Sequence, residues 1–358
     1  MYTKVNFVQA FHGDSILVEH ESQKGNITIL IDGGPKKAFT RKSGKQLISG
    51  PLKKELDKLI ANSKKIDLLI LSHVDSDHIG GIIKAFKHPN YLSHLTKKVL
   101  FNSPKVIATN AGIPPPPTFL DLEYFGDTRE TSYKEGAEFE DILLGLNDIW
   151  HRESVTALDK YILNEEMAFH FLSPTQNDLH RMLTGWAEDN KSTDTETSGC
   201  KNDYEYSCES LLEADKFVED FSVTNASSIS FILSIGDKNM LFLGDAWPSS
   251  IVESLRKLEY TEEKKLKCCL VKVSHHGSKG NTNNELLDLL DCDDFVITTD
   301  GSAHCLPHKL ALARILSHSK STKIHFNYPE LINRIYSPAE LEKYDGRVLP
   351  LDKDFVFE

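Results

Sequence analysis

Four side chains of types that can bind a metal ion fall within six consecutive residues of this 358-residue chain. The stretch reads His73-Val74-Asp75-Ser76-Asp77-His78 and directly follows the apolar run Ile66–Leu71 and Ser72. That run is short, rich in branched aliphatic residues and bounded by polar ones, so it predicts a buried strand that ends near Ser72. The cluster is therefore expected at the carboxyl end of a strand.

The donor types in this cluster are typical of a transition-metal site. Two imidazoles and two carboxylates suit zinc, manganese or iron better than calcium or magnesium. Four ligands in six residues cannot all reach one ion without severe backbone strain, because alternate side chains of an extended loop point in opposite directions. Two adjacent metal ions are the expected solution. The other interpretation is a solvated turn that happens to be rich in Asp and His.

The cluster and its surroundings resemble the metallo-β-lactamase superfamily, whose hallmark is a strand followed by HxHxDH. Here Asp75 stands in place of the second histidine, which gives HxDxDH followed by Ile79-Gly80-Gly81. This variant resembles the branch that contains the hydrolase domain of competence-type DNA-uptake proteins and the phosphorylcholine esterases. Further segments agree with that branch in order: Val8–Leu17, Ile29–Gly34, Leu241–Ala246 and Val271–Ser278.

The resemblance implies an α/β (α+β) fold, a four-layer αββα metallo-β-lactamase sandwich with helices covering two facing sheets. We expect a single domain over residues 1–358, with an acidic and polar insertion over 111–220. That insertion would select the substrate, hold a protein partner or be a passive surface elaboration. Periodicity predicts strands at 5–10, 15–19, 27–31, 66–71, 98–101, 168–172, 228–235, 239–243, 268–273 and 295–299. It predicts helices at 51–61, 80–87, 138–149, 248–258, 284–290 and 308–317.

The resemblance also implies a dinuclear metal site. In this arrangement His73 and Asp75 bind one metal, and Asp77 and His78 bind the second. Asp245, which follows a later strand, bridges both. A carboxylate suits the bridge because each of its oxygens can hold one ion. The metal ligands implied in this way are His73, Asp75, Asp77, His78, Asp245 and His275.

Two adjacent histidines, His275 and His276, compete for the last ligand position. His275 is favoured because it comes first after its strand. His276 is then a substrate contact, a ligand of the first metal or a hydrogen-bond donor that supports a ligand. Asp77 is also expected to accept a proton from the attacking water.

Other residues are expected around the metals. Asn225 stands near the place of a missing superfamily histidine and is a candidate for substrate binding, as is Ser278, whose alternative role is to cap the helix predicted at 284–290. His304 and His308 flank Leu306, where the branch tends to carry a histidine, and are catalytic candidates. Asp32 and Gly33 are expected to hold the loops of the site.

Two such ions would lower the pKa of a shared water and orient the resulting metal-bound hydroxide. We therefore expect a dinuclear metal-dependent hydrolase that uses zinc or manganese, with a phosphodiesterase or nuclease as the first interpretation. A hydrolase of another small ester, such as phosphorylcholine, a lactone or a thioester, is the alternative. So is a non-catalytic partner subunit that retains the fold.

Charge bears on the expected partners. The formal net charge of −12 opposes tight, sequence-independent binding of nucleic acid. Basic pairs nevertheless concentrate in the first seventy residues, where they form a local patch or merely solvated faces. These pairs are Lys36-Lys37, Arg41-Lys42, Lys53-Lys54 and Lys64-Lys65. The expected partners are a phosphate-ester substrate, including nucleic acid, and a protein that binds the 111–220 segment.

Membrane and redox signals are weak. No apolar stretch approaches the ~20 residues that cross a bilayer, and the amino terminus begins with a strand-like segment, so a cytoplasmic protein without a membrane partner is expected. The six cysteines form no CxxC pair and are expected to be mainly reduced thiols.

Overall fold

The computed structural model describes residues 1–114, 131–146, 148–187, 201–352 and 354–358. The chain forms two compact units. The first comprises Met1–Val155, Leu179–Thr193 and Lys353–Glu358, and the second comprises Thr156–Asp178 and Asp194–Asp352. Residues 115–130, 147 and 188–200, which belong to the insertion expected over 111–220, lie outside the described residues. The expectation of one domain with an insertion over 111–220 stays a prediction.

A seven-stranded sheet organises the first unit. Its order is β19-β1-β2-β3-β6-β7-β8, antiparallel from β19 to β3 and parallel from β3 to β8. The strands of this unit, which include a separate β4–β5 hairpin, are β1 (Tyr2–Phe7), β2 (Ile16–Ser22), β3 (Gly25–Ile31), β4 (Thr40–Ser43), β5 (Gln46–Ser49), β6 (Leu68–Ile70), β7 (Val99–Leu100), β8 (Trp150–His151) and β19 (Phe355–Phe357).

The parallel pairing of β3 with β6 positions the expected metal ligands. Side chains of β6 are completely buried, which explains the continuous apolar run in the sequence. Asp32 follows β3, and Ser72 with His73 follows β6, so both polar segments lie at the same carboxyl edge of the sheet. This is the edge at which parallel sheets present ligand-binding residues.

Helices of the first unit accompany this sheet. The helix after the cluster begins at Ser76, four residues earlier than predicted, so Asp77 and His78 lie in a first helical turn and not in an extended loop. The helices are α1 (Lys36–Phe39), α2 (Pro51–Ala61), α3 (Ser76–Lys87), α4 (Leu92–Leu95), α5 (Pro104–Ala111) and α6 (Thr131–Leu144).

An eight-stranded sheet organises the second unit. Its order is β18-β17-β16-β14-β12-β11-β10-β9, parallel from β18 to β12 and antiparallel from β12 to β9. Its strands, together with the short pair β13 and β15, are β9 (Lys160–Ile162), β10 (Met167–Ser173), β11 (Ser230–Ile235), β12 (Lys238–Phe242), β13 (Leu266–Lys267), β14 (Leu270–Lys272), β15 (Leu290–Asp291), β16 (Asp294–Ile297), β17 (Lys323–Phe326) and β18 (Val348–Pro350).

Three parallel neighbours in this sheet again bring polar residues to one edge. Asp245 follows β12, His275 and His276 follow β14, and Thr298 follows β16. The boundary between the two units at residue 178 falls within the first of the remaining helices. These helices are α7 (Gln176–Ala187), α8 (Cys208–Glu213), α9 (Val223–Ala226), α10 (Pro248–Lys257), α11 (Asn284–Asp288), α12 (Lys309–His318), α13 (Ile332–Ile335) and α14 (Pro338–Lys343). Short 3₁₀ turns span Ser274–Gly277 and Pro329–Leu331.

The mixed α/β class predicted from the sequence is confirmed. The cysteines were expected to be mainly reduced thiols, and Cys305 is an exception because it is disulfide-bonded. Cys208, Cys268, Cys269 and Cys292 are free thiols. None of the helices in the described part of the chain has the length and apolarity needed to cross a membrane.

Candidate metal centre

The HxDxDH residues form two pairs of metal donors. His73 Nε2 lies 3.4 Å from Asp75 Oδ2, and His78 Nε2 lies 3.9 Å from Asp77 Oδ2. The two imidazole rings are adjacent, with centroids 4.2 Å apart. Because the helix starts at Ser76, the backbone turns between the pairs. The structure thus groups these four residues as the resemblance implied.

These distances fit a bound metal. Two donors that each lie about 2.1 Å from one ion in a tetrahedral arrangement are about 3.4 Å apart. That separation matches His73 and Asp75, and the pair at Asp77 and His78 is about half an ångström wider. Nitrogen and carboxylate donors together suit zinc, manganese or iron.

Asp32 fixes the orientation of the second histidine. Its carboxylate accepts the Ser72 amide at 2.7 Å, the Ser72 hydroxyl at 2.7 Å and His78 Nδ1 at 2.8 Å. The Ser72 hydroxyl in turn accepts from His73 Nδ1 at 3.0 Å. Hydrogen bonds from Nδ1 leave Nε2 of each histidine as the nitrogen with a lone pair for a metal. Asp32 therefore holds the loop at Ser72 and also the candidate ligand His78 directly.

Asp14 is a residue that the sequence reasoning did not select. It is buried, and its carboxylate, that of Asp32 and a His78 nitrogen offer donor atoms within 4.8 Å of one another. Its carbonyl accepts the Gly34 amide at 2.6 Å. The only signal for it was its place in the segment Val8–Leu17, which resembles the superfamily branch. The sequence could not show that this segment folds back against the HxDxDH cluster.

Gly33 lets the loop after β3 approach α3. Its amide donates to the His78 carbonyl at 2.9 Å, and a Cβ atom on Gly33 would lie 2.6 Å from Ile82 Cγ1. Gly81 approaches from the other side, since a Cβ there would lie 2.0 Å from the Gly33 carbonyl oxygen. Glycine at both positions is therefore required by space.

In the second unit, Asp245 is the buried carboxylate next to both histidines. Its Oδ2 lies 3.7 Å from His276 Nε2 and 4.0 Å from His275 Nε2. Lys272 is also buried, donates to the Gly244 carbonyl at 3.0 Å and places its ammonium 3.8 Å from Asp245 Oδ1. One carboxylate oxygen thus faces a cation while the other faces the imidazoles.

The two histidines have different environments. His276 is buried and donates from Nδ1 to the Thr298 carbonyl at 2.8 Å, an arrangement typical of metal-ligating histidines. The His275 side chain is partly exposed, and its Nδ1 lies 3.0 Å from Asn281 Oδ1. Both residues have left-handed backbone conformations, with φ of 44° and 51°. This geometry favours His276 over His275 as the ligand, the reverse of the order expected from the sequence.

A polar network surrounds His275. Asp220 Oδ2 accepts from Asn225 Nδ2 at 2.7 Å and from Asn281 Nδ2 at 3.0 Å, and it lies 3.4 Å from His275 Nδ1. Burial acts to raise the pKa of Asp220, but His275 and Asn225 outweigh it and hold that pKa below its usual value. Burial acts to lower the pKa of His275, but the charges of Asp245 and Asp220 raise it. Asp220 and Asn281 were not selected from the sequence because neither belongs to a motif there.

Asn225, the candidate for substrate binding, lies within this network. It is buried in α9, and its Oδ1 has no hydrogen-bond partner among the described residues. A buried carbonyl oxygen without a partner is costly, so this atom fits a ligand.

Ser278, His304 and His308 are less directly engaged. Ser278 accepts from the Gly280 amide at 3.2 Å and does not cap α11, whose N-cap is Asn283, so the capping prediction is wrong. His304 is exposed, with φ of 51°. His308 accepts from the Lys279 amide at 3.2 Å, and burial lowers its pKa to about 4, so it is neutral at pH 7.

Comparisons with known proteins agree with part of this chain. Residues 8–141 match the family model of the metallo-beta-lactamase superfamily. A search of the curated proteins finds no match.

Solved structures give remote likenesses. CmlA, a diiron beta-hydroxylase from Streptomyces venezuelae, is 11% identical with a TM-score of 0.43, and the alignment covers 100% of this chain and 54% of CmlA. The chain thus spans about half the length of CmlA. Zn(2+)-bound PqqB from Methylobacterium extorquens is 10% identical with a TM-score of 0.41 and coverage of 100% of both chains. At these values neither likeness bears on the activity of this protein.

Proposed function

Because residues 8–141 match the metallo-beta-lactamase superfamily, we propose that this protein is a metal-dependent hydrolase of phosphate esters. Its cofactors are two divalent ions, zinc or manganese. Its preferred substrate is a nucleic-acid phosphodiester. The second choice is a small phosphodiester such as a nucleotide or a choline phosphate. It acts as a soluble cytoplasmic enzyme without a membrane partner, and the 111–220 segment is available for a protein partner.

The donor pairs in the HxDxDH segment carry this proposal. His73 with Asp75 and Asp77 with His78 have separations that suit metal binding. Asp32 and Ser72 hold Nδ1 of both histidines, which prepares Nε2 for a metal. A solvated turn would have no need of this buried support.

In the proposed reaction, the metals would supply Lewis-acid stabilisation of the phosphoryl oxygens and activation of water. The chain itself positions the groups around them. Asp77, whose side chain is 21% exposed, accepts a proton from the attacking water. Lys272 stabilises the charge of Asp245, and His275, which remains accessible, contacts the substrate. The proposed ligands of the second unit are Asp245 and His276.

Elemental analysis of the purified protein together with hydrolysis assays tests the proposal. The substrates are bis-p-nitrophenyl phosphate and labelled single- and double-stranded DNA, each with zinc or manganese. We expect close to two metals per chain in the wild type. Asp77→Ala and His276→Ala should lose metal and at least a hundredfold in kcat/KM. His275→Ala should keep its metal while kcat/KM falls.

Asp237→Ala provides a matched control, because Asp237 is almost fully exposed and should affect neither metal content nor rate. Bound metal without phosphodiester cleavage would replace the proposal with hydrolysis of a lactone, thioester or other small ester. Absence of metal from the wild type, even after incubation with zinc and manganese, would leave a non-catalytic partner subunit. Loss of metal in His275→Ala but not in His276→Ala would restore the sequence-based ligand order.

A further inference from the structure

A basic surface in the first unit lies beside the HxDxDH segment. From Gly33 to Lys54 the sequence contains seven basic residues and no acidic one, in a chain with a net charge of −12. Two of the seven are neutralised, since Lys36 pairs with Glu135 at 2.6 Å and Lys53 pairs with Asp57 at 3.0 Å. The other five, none of which pairs with an acidic group among the described residues, are Lys37, Arg41, Lys42, Lys45 and Lys54.

Several lysines elsewhere in this unit are paired with acidic residues. Lys58 pairs with Glu55 at 2.8 Å, Lys64 with Glu19 at 2.8 Å, and Lys97 with Asp67 at 2.6 Å. The basic pair predicted at 64–65 is thus partly neutralised. Among the described residues, five cations without an acidic partner thus fall within residues 37–54, and three of them, Arg41, Lys42 and Lys45, are exposed on the β4–β5 hairpin.

An aromatic ring lies among these cations. The Lys37 ammonium is 4.4 Å from the centroid of the Phe11 ring, and the Arg41 guanidinium carbon is 5.6 Å from it. Phe11 is half-buried and has a left-handed backbone with φ of 67°, a conformation that costs free energy in a bulky residue. We define the hairpin patch as Phe11, Lys37, Arg41, Lys42 and Lys45.

The hairpin patch is continuous with the metal-ligand loop. Gly13, two residues after Phe11, packs against Asp77 so closely that a Cβ atom would lie 1.8 Å from the Asp77 carbonyl oxygen. On the other side, a Cβ atom on Gly80 of α3 would lie 2.7 Å from the Lys36 amide nitrogen at the start of α1. The cations are therefore attached directly to the elements that carry the donor pairs.

We propose that the hairpin patch binds the single-stranded nucleic acid whose phosphodiester is presented to the HxDxDH segment. Cations that neutralise phosphates beside an aromatic face are the combination that proteins use to bind single strands. The local excess of positive charge on an acidic chain directs the polyanion to this surface and away from the rest. This inference rests on the proposed phosphodiesterase function and adds the substrate class and the surface that selects it.

The test compares two triple variants with the same change in charge. Arg41→Gln/Lys42→Gln/Lys45→Gln removes the exposed cations of the hairpin patch. Lys201→Gln/Lys257→Gln/Lys264→Gln removes three exposed lysines of the second unit that pair with nearby glutamates. Binding of a fluorescent 20-nucleotide single strand is measured between 50 and 200 mM salt, and kcat/KM is measured for the oligonucleotide and for bis-p-nitrophenyl phosphate.

We expect the patch variant to bind the single strand at least tenfold more weakly, with a salt dependence reduced by about 2 in log–log slope, or about 0.7 per lost phosphate contact. Its kcat/KM for bis-p-nitrophenyl phosphate should stay within twofold of the wild type. The control variant should differ little in either assay. Phe11→Leu should weaken strand binding about fivefold while it preserves the salt slope.

Different outcomes separate this inference from the proposed function. Unchanged strand binding in the patch variant, or equal loss in the control variant, would overturn the inference while hydrolysis of the small substrate upholds the enzyme. Equally tight binding of a poly-glutamate peptide or of duplex DNA by the wild type would overturn selection of single strands. Absence of hydrolysis of both substrates by metal-loaded wild type would overturn the proposed function, whatever the binding results.

Discussion

At the scale of single residues, the groups that support the candidate metal ligands are as informative as those ligands. The HxDxDH pattern made the four candidate ligands visible because they are close in sequence. The supporting roles of Ser72, Asp220 and Asn281 became visible only in the structure, because no motif marks the hydrogen bonds or close contacts that each makes with a histidine. The preference for His275 over His276 likewise used chain order alone, whereas burial and the hydrogen bond to Thr298 favour His276.

Removal of Asp32 should weaken metal binding without removing a donor pair. Asp32→Ala leaves His78 Nδ1 and the Ser72 amide without their acceptor, so the His78 ring loses its fixed orientation. We expect metal affinity to fall about 10- to 100-fold in a chelator-competition titration. Asp67→Ala is the control, because Asp67 accepts the amide of Thr28 in β3, the strand that Asp32 directly follows, and is not a neighbour of His78 in this network. Equal affinities of Asp32→Ala and the wild type would show that Asp32 has no role in the site.

At the scale of secondary structure, apolar runs predicted the buried strands well. Strands and helix ends made of polar residues were missed. The helix at 51–61 and the buried strands around 29–31 and 68–70 were expected from their periodicity. The β4–β5 hairpin was not, because its residues are polar and exposed, so hydrophobic patterning gave no signal. The beginning of α3 was missed because Ser76-Asp77-His78 carries ligands in place of the apolar periodicity of a helix.

The contact between α3 and the loop after β3 should tolerate no side chain at Gly81. In Gly81→Ala the methyl group would overlap the Gly33 carbonyl, so α3 must move away from the loop. We expect a loss of about 1–3 kcal/mol in the free energy of unfolding, measured by urea denaturation. Gly145→Ala is the matched control, since a Cβ atom there would meet its closest neighbour at 3.5 Å. A Gly81→Ala variant as stable as the wild type would contradict this close packing.

The start of α14 should make stability depend on pH below neutrality. Glu340 binds the buried Lys309 ammonium at 2.8 Å and completes a capping box with Ser337. Burial acts to raise the pKa of Glu340, but the bonds from Lys309 and Ser337 outweigh it and lower that pKa from 4.5 to about 2. Because the folded pKa is depressed, this stabilisation is complete above pH 4.5 and is lost as the pH falls toward 2.

The corresponding experiment compares Glu340→Gln with the wild type by urea denaturation at pH 7 and pH 3. At pH 7 the variant should be about 3 kcal/mol less stable, because Lys309 is left buried without its partner. The difference should narrow at pH 3. Glu342→Gln, on the exposed side of the same helix, should follow the wild type at both values. A difference that does not change with pH would exclude a contribution from the ionised carboxylate.

At the scale of the whole molecule, most of the candidate site residues follow strands of two sheets that are built in the same way. In each sheet the parallel strands end at an edge where aspartate and histidine side chains follow. The sequence predicted most of these strands and this placement, because the motifs follow apolar runs. It could not predict the two compact units, because residues far apart in the chain, such as 3 and 357, combine within one of them.

Metal binding should stabilise the folded chain. A ligand that binds only the native state adds about 2.7 kcal/mol at a free concentration of one hundred times its Kd. With zinc or manganese in that excess, calorimetry should show a rise of about 5–10 °C in Tm relative to the EDTA-treated protein. Asp77→Ala should show a much smaller rise. The same rise in both proteins would indicate metal binding elsewhere.

The pairing of β19 with β1 sets a constraint on the order in which the chain can assemble. Thr3 lies opposite Phe357 in this pairing, and Phe7 contacts Phe355 with ring centroids 6.2 Å apart. During translation, the exposed edge of β1 must wait until residue 357 has left the ribosome before it gains its partner strand. Closure of so long a loop is entropically costly and slow. The nascent chain therefore carries an unpaired strand edge from the time β1 emerges until β19 emerges, and chaperones that cover such edges would protect it during that period.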